Sequence, residues 1–405
     1  MNLLVVGNGF DLAHNLPTKY SDFLDFMALC IKRFYPNYIN WGRHFDSDDN
    51  KYKFDSFSIA EILSSLQSNP NDKVLEIFNN CNKDSFKEHL MIETKTPFVY
   101  NPLLRYLICI YAYKKKLDSN FQWIDIEDEI DKLLMQIESS KISYSREFLL
   151  FVNTPFIMYD EYHLEQFYFP ELSNAIRKNK SIPEDKFKSE IFKLLFKDLE
   201  QFNLLLKFYL KLVQDTFHKE NNRFFNINTE CDDTIKIDYV LSFNYTDIST
   251  IYLSEAQKSN VYYINGNLEK NSKIILGIEN PNANKTIEFC NDNINLFFKD
   301  VQRVLYDMKY FYSRILQVGK NSNSGINLHI IGHSLAFSDK FILLDIIEKA
   351  DIVTIYYYSY EDMQNKITSL YKLLGNEKFF KYVNNPTGKP LVLLVPQKEI
   401  LISGK

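Results

Sequence analysis

Four short stretches hold most of the side chains able to grip or activate a ligand, and each closes an apolar run. Gly7-Asn8-Gly9 follows Leu3–Val6, and Phe243-Asn244-Tyr245-Thr246-Asp247 ends a run that starts at Ile235. Asn265-Gly266-Asn267 follows Val261–Ile264, and Gly332-His333-Ser334-Leu335 follows Ile326–Ile331. Two glycines around one residue let the backbone turn sharply and leave N–H groups uncovered. A strand, a glycine turn and a helix N-terminus together make a seat for phosphate or pyrophosphate. Asp11 reads as an N-cap for the helix that follows, patterned from about Tyr20 to Phe34. The dinucleotide fingerprint G-x-G-x-x-G is incomplete, because Leu12 stands where the third glycine belongs, so a dehydrogenase is not indicated. Asn244, framed by two aromatics without a glycine, reads as a buried hydrogen-bonding amide. His333 reads equally as a functional group or a structural histidine, while Asn267 and Ser338 read as ordinary turn residues.

Strands must position these stretches. Leu3–Val6 is a continuous apolar run with two valines, the pattern of a strand buried on both faces. Further strands are expected at Ile235–Asn244, Val261–Ile264, Ile274–Leu276, Ile326–Ile331, Ile352–Tyr358 and Pro390–Val395. Helical patterns at Thr286–Gln317, Lys340–Ala350 and Tyr360–Leu374 separate several of them, which predicts a mainly parallel sheet covered on both faces. In such open sheets ligands bind beyond the carboxyl ends of the strands, where all four stretches fall. Between the first strand and the rest, apolar spacing is helical at Phe57–Leu66, Leu103–Tyr113, Ile124–Ile137 and Pro183–His218. The fold class is therefore α/β: a Rossmann-like, mainly parallel sheet with a large helical insertion. Residues 1–45 plus 235–405 form the core and 46–234 the insertion.

Composition narrows the function classes. Hydrophobic residues make up 45% of 405, which supports a large core and excludes global disorder. A net charge of −5, with both signs mixed along the chain, argues against a general affinity for nucleic acid. The five cysteines are scattered singly with no C-x-x-C pair, so they read as buried thiols in a reducing cytoplasm rather than as zinc ligands or disulfides. No signal peptide precedes the first strand, since glycine arrives at position 7. The apolar stretch Leu103–Tyr113 is too short for a bilayer, so no membrane partner is expected.

The opening GNGFDLAHNLPTKYSDFL resembles the signature of the AbiH family, named for abortive infection, by which a bacterium defends its population against phage. The later FNYTD, the GHSL–SD stretch and Trp123-Ile-Asp-Ile-Glu127 also resemble that family, in the family's order. A more distant likeness is to sirtuins. Residues 7–20 lie without a gap on the sirtuin pattern GAGIS…GIPDFR, with Gly7, Gly9 and Pro17 matching and Leu16 replacing isoleucine. Asn244 falls on the asparagine of the sirtuin TQN stretch, and Gly332-His333-Ser334-Leu335 is similar to GTSL.

The sirtuin resemblance implies an NAD site built from Gly7, Asn8, Gly9, Phe10, Asp11, His14, Pro17, Asn244, Asn265, Gly332, His333 and Ser334, with no metal. It implies chemistry at Asn244, His333, Asp11 and Asp247. Asn265-Gly266 replaces the family's His-Gly pair, and an amide cannot take a proton near neutral pH. Departure of nicotinamide leaves positive charge on the ribose, so Asn244 holding the ribose and Asp11 or Asp247 facing the cation supply what that cleavage needs. His14 and His333 are the histidines at hand to replace the base. The expectation is thus a cytoplasmic abortive-infection effector that binds NAD and hydrolyses it on infection. The alternative is a non-catalytic NAD or ADP-ribose sensor that recognises a phage component, or a second defence protein, through its helical domain, with homo-oligomerisation left open. A nuclease is disfavoured, because no H-E-x-x-H, no set of D-x-D triplets and no basic stripe is present.

Overall fold

Leu3, Leu4, Val5 and Val6 are all buried, so both faces of the first strand are covered, as a central parallel strand requires. The computed structural model describes residues 1–34, 71–81, 101–118, 121, 124–139, 184–217, 237–247, 260–278, 292–308, 311–321, 325–384 and 390–397. Within these, β1 (Asn2–Val6), β2 (Tyr239–Ser242), β3 (Val261–Tyr263), β4 (Asn327–Ile331), β5 (Ile352–Tyr357) and β6 (Leu391–Pro396) form one sheet. All its pairs are parallel and its order is β3-β2-β1-β4-β5-β6. This is the α/β, Rossmann-like architecture expected from the sequence, with its topological switch point between β1 and β4. Leu3 pairs with Tyr239 on one side and Leu328 on the other. The ends of β1, β2 and β4 are thereby brought side by side.

The residues divide into two compact units. The sheet unit comprises Met1–Thr18, Leu210–Glu279 and Lys299–Lys405; the helical unit comprises Lys19–Tyr209 and Asn280–Phe298. In the sheet unit a core of Leu3, Val5, Leu328, Ile330, Val353 and Ile355 lies under α8 (Phe311–Asn321), α9 (Lys340–Lys349) and α10 (Tyr360–Asn384). The same unit holds α1 (Asn8–Ala13) and α7 (Lys299–Leu305).

The helical unit contains α2 (Tyr20–Phe34), α3 (Asp72–Asn80), α4 (Pro102–Leu117), α5 (Ile126–Ser139) and most of α6 (Glu184–Phe217). Phe23 meets Phe202 edge-on, with ring centroids 5.2 Å apart. Asn101 caps α4 by accepting the Leu104 N–H at 2.8 Å, with Pro102 following, the usual N-terminal chemistry of a helix. Two acids on α2 are buried here. Burial pushes Asp25 up to about 7, offset in part by the Lys115 ammonium 3.8 Å away, and raises Asp22.

Three local expectations are corrected. Ile274–Leu276 is not a strand: the Ile275 N–H bonds the Asn265 carbonyl, and the Ile275 and Leu276 carbonyls accept from Tyr245 and Gln302 side chains, so no ladder forms. The stretch 286–317 is not one helix: a 3₁₀ turn at Asp292–Phe297, then α7 and α8 are separate, with Asp307 in the left-handed region between the last two. Asp11 does not cap α2. It lies inside α1, which ends at His14 and the left-handed Asn15. The helix expected at Phe57–Leu66 lies outside the described residues, as does Trp123. Cys30 and Cys81 are buried free thiols, as expected. No helix of the described residues is long and apolar enough to cross a membrane.

Candidate functional site

At the carboxyl end of β1 the chain turns through Gly7 and Gly9 into α1. The Gly7 N–H donates to the Ile331 carbonyl at 3.2 Å and the Gly9 N–H to the Gly332 carbonyl at 2.7 Å. A Cβ on Gly9 would stand 2.8 Å from the Gly332 oxygen, and one on Gly7 would stand 2.7 Å from the His333 Cα. Gly332 has φ +63, and a Cβ there would lie 2.1 Å from the Phe10 nitrogen. The three glycines therefore let the loops after β1 and β4 close on each other. The space beside Gly9 holds backbone of the β4 loop, and its N–H is already committed, so it cannot serve a pyrophosphate without the two loops parting. Helix α1 is also only six residues long.

The β2 end completes the first cluster. Asn244 Nδ2 donates to the Gly7 carbonyl at 3.0 Å and to Asp11 Oδ1 at 2.9 Å, while Thr246 Oγ1 donates to Asp11 Oδ2 at 2.6 Å. All three side chains are buried. With both amide protons turned inward, Asn244 can offer a ligand only its Oδ1, an acceptor. Burial pushes the Asp11 carboxyl up to about 7 against the bonds from Thr246 and Asn244, with the neighbouring Asp247 charge adding to the rise. A carboxyl poised there exchanges its proton near neutral pH. The Asp247 N–H donates to Gln214 at 3.2 Å. Tyr263 on β3 is pushed far up by burial and by Asp247, Glu269 and Asp11.

The β3 and β4 ends form a second cluster. His333 stands edge-on to Phe243, ring centroids 4.5 Å apart. Its Nδ1 accepts the Leu335 N–H at 2.9 Å, so the ring proton sits on Nε2, which faces Asp339 Oδ2 at 3.7 Å. Burial lowers this imidazole to about 4 despite that carboxylate. His333 is thus neutral at physiological pH with its acceptor nitrogen occupied. Asn265 donates to the Phe243 carbonyl at 3.3 Å and accepts from Arg303 Nη2 at 2.9 Å.

The other expected residues are placed as follows. Asn8 Oδ1 accepts from Thr18 at 2.7 Å. Phe10 and Pro17 are buried, and Ser334 is exposed on the β4 loop. His14 donates from Nδ1 to the Phe10 carbonyl at 2.7 Å, which leaves Nε2 as the ring's acceptor, and burial lowers its pKa. Asn267 caps its own turn by accepting the Glu269 N–H. Five side chains in or against these clusters escaped the sequence reading: Thr246, Arg303 and Asp339, together with Lys299, which donates to Asp339, and Lys366, which donates to the His333 carbonyl. Thr246 and Asp339 stood inside quoted motifs. The spacing of Lys299 and Arg303 is that of any solvent-facing helix, and no sequence signal marks them. No group of three or more metal-ligating side chains occurs among the described residues.

Comparison with known proteins returns one match. A protein-family model described as "Bacteriophage abortive infection AbiH" matches residues 3–360. No curated protein and no solved structure matches the chain.

Proposed function

The chain belongs to the AbiH family of bacteriophage abortive infection, and from that premise we propose that it acts through a nucleotide site at the carboxyl ends of β1, β2 and β4, with NAD as ligand and substrate. The observation that carries this reading is the buried Asp11–Asn244–Thr246 cluster beside the switch point of a Rossmann-like sheet. The chemistry it offers a ligand is acceptor chemistry: Asn244 Oδ1 suits a ribose hydroxyl, and the half-buried Asp247 carboxylate, with buried Asp11 behind it, suits an electron-poor ring or the positive charge left when such a ring departs. The closed glycine turn fits the pyrophosphate poorly, so the sugar end is where the residues and NAD agree. In this reading Asn244 orients the ribose and Asp11 opposes the developing cation, without a strong base.

A non-catalytic sensor is the second reading, and one observation favours it. His333, the expected substitute base, has Nδ1 occupied and titrates far below neutral. Calorimetric titration with NAD and ADP-ribose, paired with nicotinamide release by wild type, Asn244→Ala and Asn265→His, separates the readings. Turnover lost in Asn244→Ala and raised in Asn265→His supports the enzyme; tight binding with three silent proteins supports the sensor. Absence of binding removes NAD from both.

A further inference from the structure

Three cations are buried where charges are costly: Lys299, Arg303 and Lys366 are 3%, 3% and 4% exposed. Lys299 Nζ donates to Asp339 Oδ1 at 3.0 Å and to Ser338 Oγ at 3.2 Å. Arg303 donates to Asp300 at 2.8 Å and to Asn265 Oδ1 at 2.9 Å, and its Nη2 lies 3.9 Å from Asp339. Lys366 donates to the His333 carbonyl at 2.9 Å and pairs with Asp362 at 3.4 Å. With their donors directed at protein atoms, these cations make a poor anion site. They do converge on two candidate site residues from different strand ends, Asn265 after β3 and His333 after β4.

We infer that Arg303, held by Asp300 and by the Lys299–Asp339 pair, is a positioning residue that fixes the amide of Asn265. Helix α7 supplies the lysine and arginine one turn apart, on the face that meets both loops. The Arg303 donor decides which end of the Asn265 amide points where. A flipped amide would set N–H against N–H at Arg303 and oxygen against oxygen at Phe243. Asp339, anchored by Lys299, faces the Nε2 proton of His333, while Leu335 fills Nδ1 from a left-handed backbone conformation, φ 57. A non-glycine residue held there in a buried loop is costly, so the surrounding contacts over-determine it. The ordinary account is that the network only stabilises the fold. Buried ion pairs are poor stabilisers relative to apolar residues of the same volume, whereas they do fix geometry. The inference rests on the proposed site, since it concerns what holds that site's residues.

The test uses the full chain with ¹⁵N-labelled histidine and asparagine. Nitrogen spectra report the His333 tautomer and the Asn265 amide directly, with Asn265→Ala and His333→Gln assigning the signals. The variants are Arg303→Lys, which keeps the charge and loses the fork, and Asp339→Asn, which keeps the shape. Wild type should show a single Nε2–H tautomer and one sharp Asn265 amide. Arg303→Lys should shift or broaden the Asn265 amide, whereas Asp339→Asn, which leaves the Leu335 N–H on His333 Nδ1, should keep the tautomer single. An unchanged Asn265 amide signal in folded Arg303→Lys overturns the inference, whether or not NAD binds. Wild type that binds no NAD, with the signals moving as expected, sinks the NAD reading and leaves the positioning role standing. If Arg303→Lys does not fold, Arg303→Gln, neutral and without the fork, decides through the same Asn265 amide signal.

Discussion

Asp11 is the one side chain of the first cluster whose charge state is open near neutral pH. Its folded-state pKa, about 7, lies above the ordinary 3.8, so folding favours its protonated form. The stability this confers is fully present below about pH 4 and is lost as pH rises toward 7. Between about pH 5 and about pH 8 the loss should amount to about 3 kcal/mol for this group. Asp11→Asn, a neutral isostere, should lack that component, so denaturant unfolding at the two pH values should show a smaller drop than in wild type; equal drops would mean that Asp11 is ionised without penalty. Asn244→Ala makes a second test at this scale. It leaves Asp11 Oδ1 without its amide donor, while the Gly7 carbonyl keeps the Phe10 N–H at 2.8 Å, so it should lose about 1–3 kcal/mol of stability as well as any NAD cleavage. A variant as stable as wild type would show that water replaces the amide. The candidacy of Asn244 was legible from its aromatic frame and strand-end position. Its inward-facing donors were not, because sequence gives no χ angles.

Gly332 and Gly375 separate two reasons for a glycine. Both have positive φ, +63 and +74, but a Cβ on Gly332 would strike the Phe10 backbone, whereas one on Gly375 meets nothing within 4 Å. Gly375→Ala, at the bend inside α10 where φ is 74 and ψ 170, a region essentially reserved for glycine, should cost about 1–3 kcal/mol of conformational strain. Gly332→Ala must also part the β1 and β4 loops, so it should cost more, about 3 kcal/mol or above. Comparable urea midpoints for the two variants would show that the loops separate easily. The elements themselves were largely legible. The apolar spacing gave α2 its full span, and the buried runs gave five of the six strands to within a few residues; the run from Ile235 began earlier than β2 does. Ile274–Leu276 misled because three buried apolar residues look alike in a strand and in a packed loop. The long pattern at 286–317 misled because apolar periodicity persists through turns. The glycines were legible as points of close approach; that the β4 loop is what Gly7 and Gly9 approach was not, because sequence does not say what comes near.

At the scale of the molecule, the family assignment and the sheet order carry the argument. Expression of the full chain in a phage-sensitive bacterium should reduce plaque formation, and Asn244→Ala and Gly332→Val should restore it at equal protein levels. Protection that survives both substitutions would move the function away from these strand ends. The two units each contain a carboxyl raised to about 7, Asp11 in the sheet unit and Asp25 in the helical unit. Each should contribute stability that grows as the solution is taken from mildly alkaline to mildly acidic, while the buried His333, lowered to about 4, acts in the opposite sense over the same range. Asp11→Asn and Asp25→Asn should each remove part of that slope.

The central strand has a further consequence, in the order in which a ribosome delivers the chain. Leu3 finds its partners only at Tyr239 and Leu328. At about 5–20 residues per second, on the order of ten seconds or more pass before β2 is synthesised, and more before β4. Through that interval an apolar strand waits with neither edge paired, a state prone to sticking to other chains. Its release comes late, when β4 emerges and the last neighbour closes the middle of the sheet. Refolding from denaturant should accordingly be slow and sensitive to concentration.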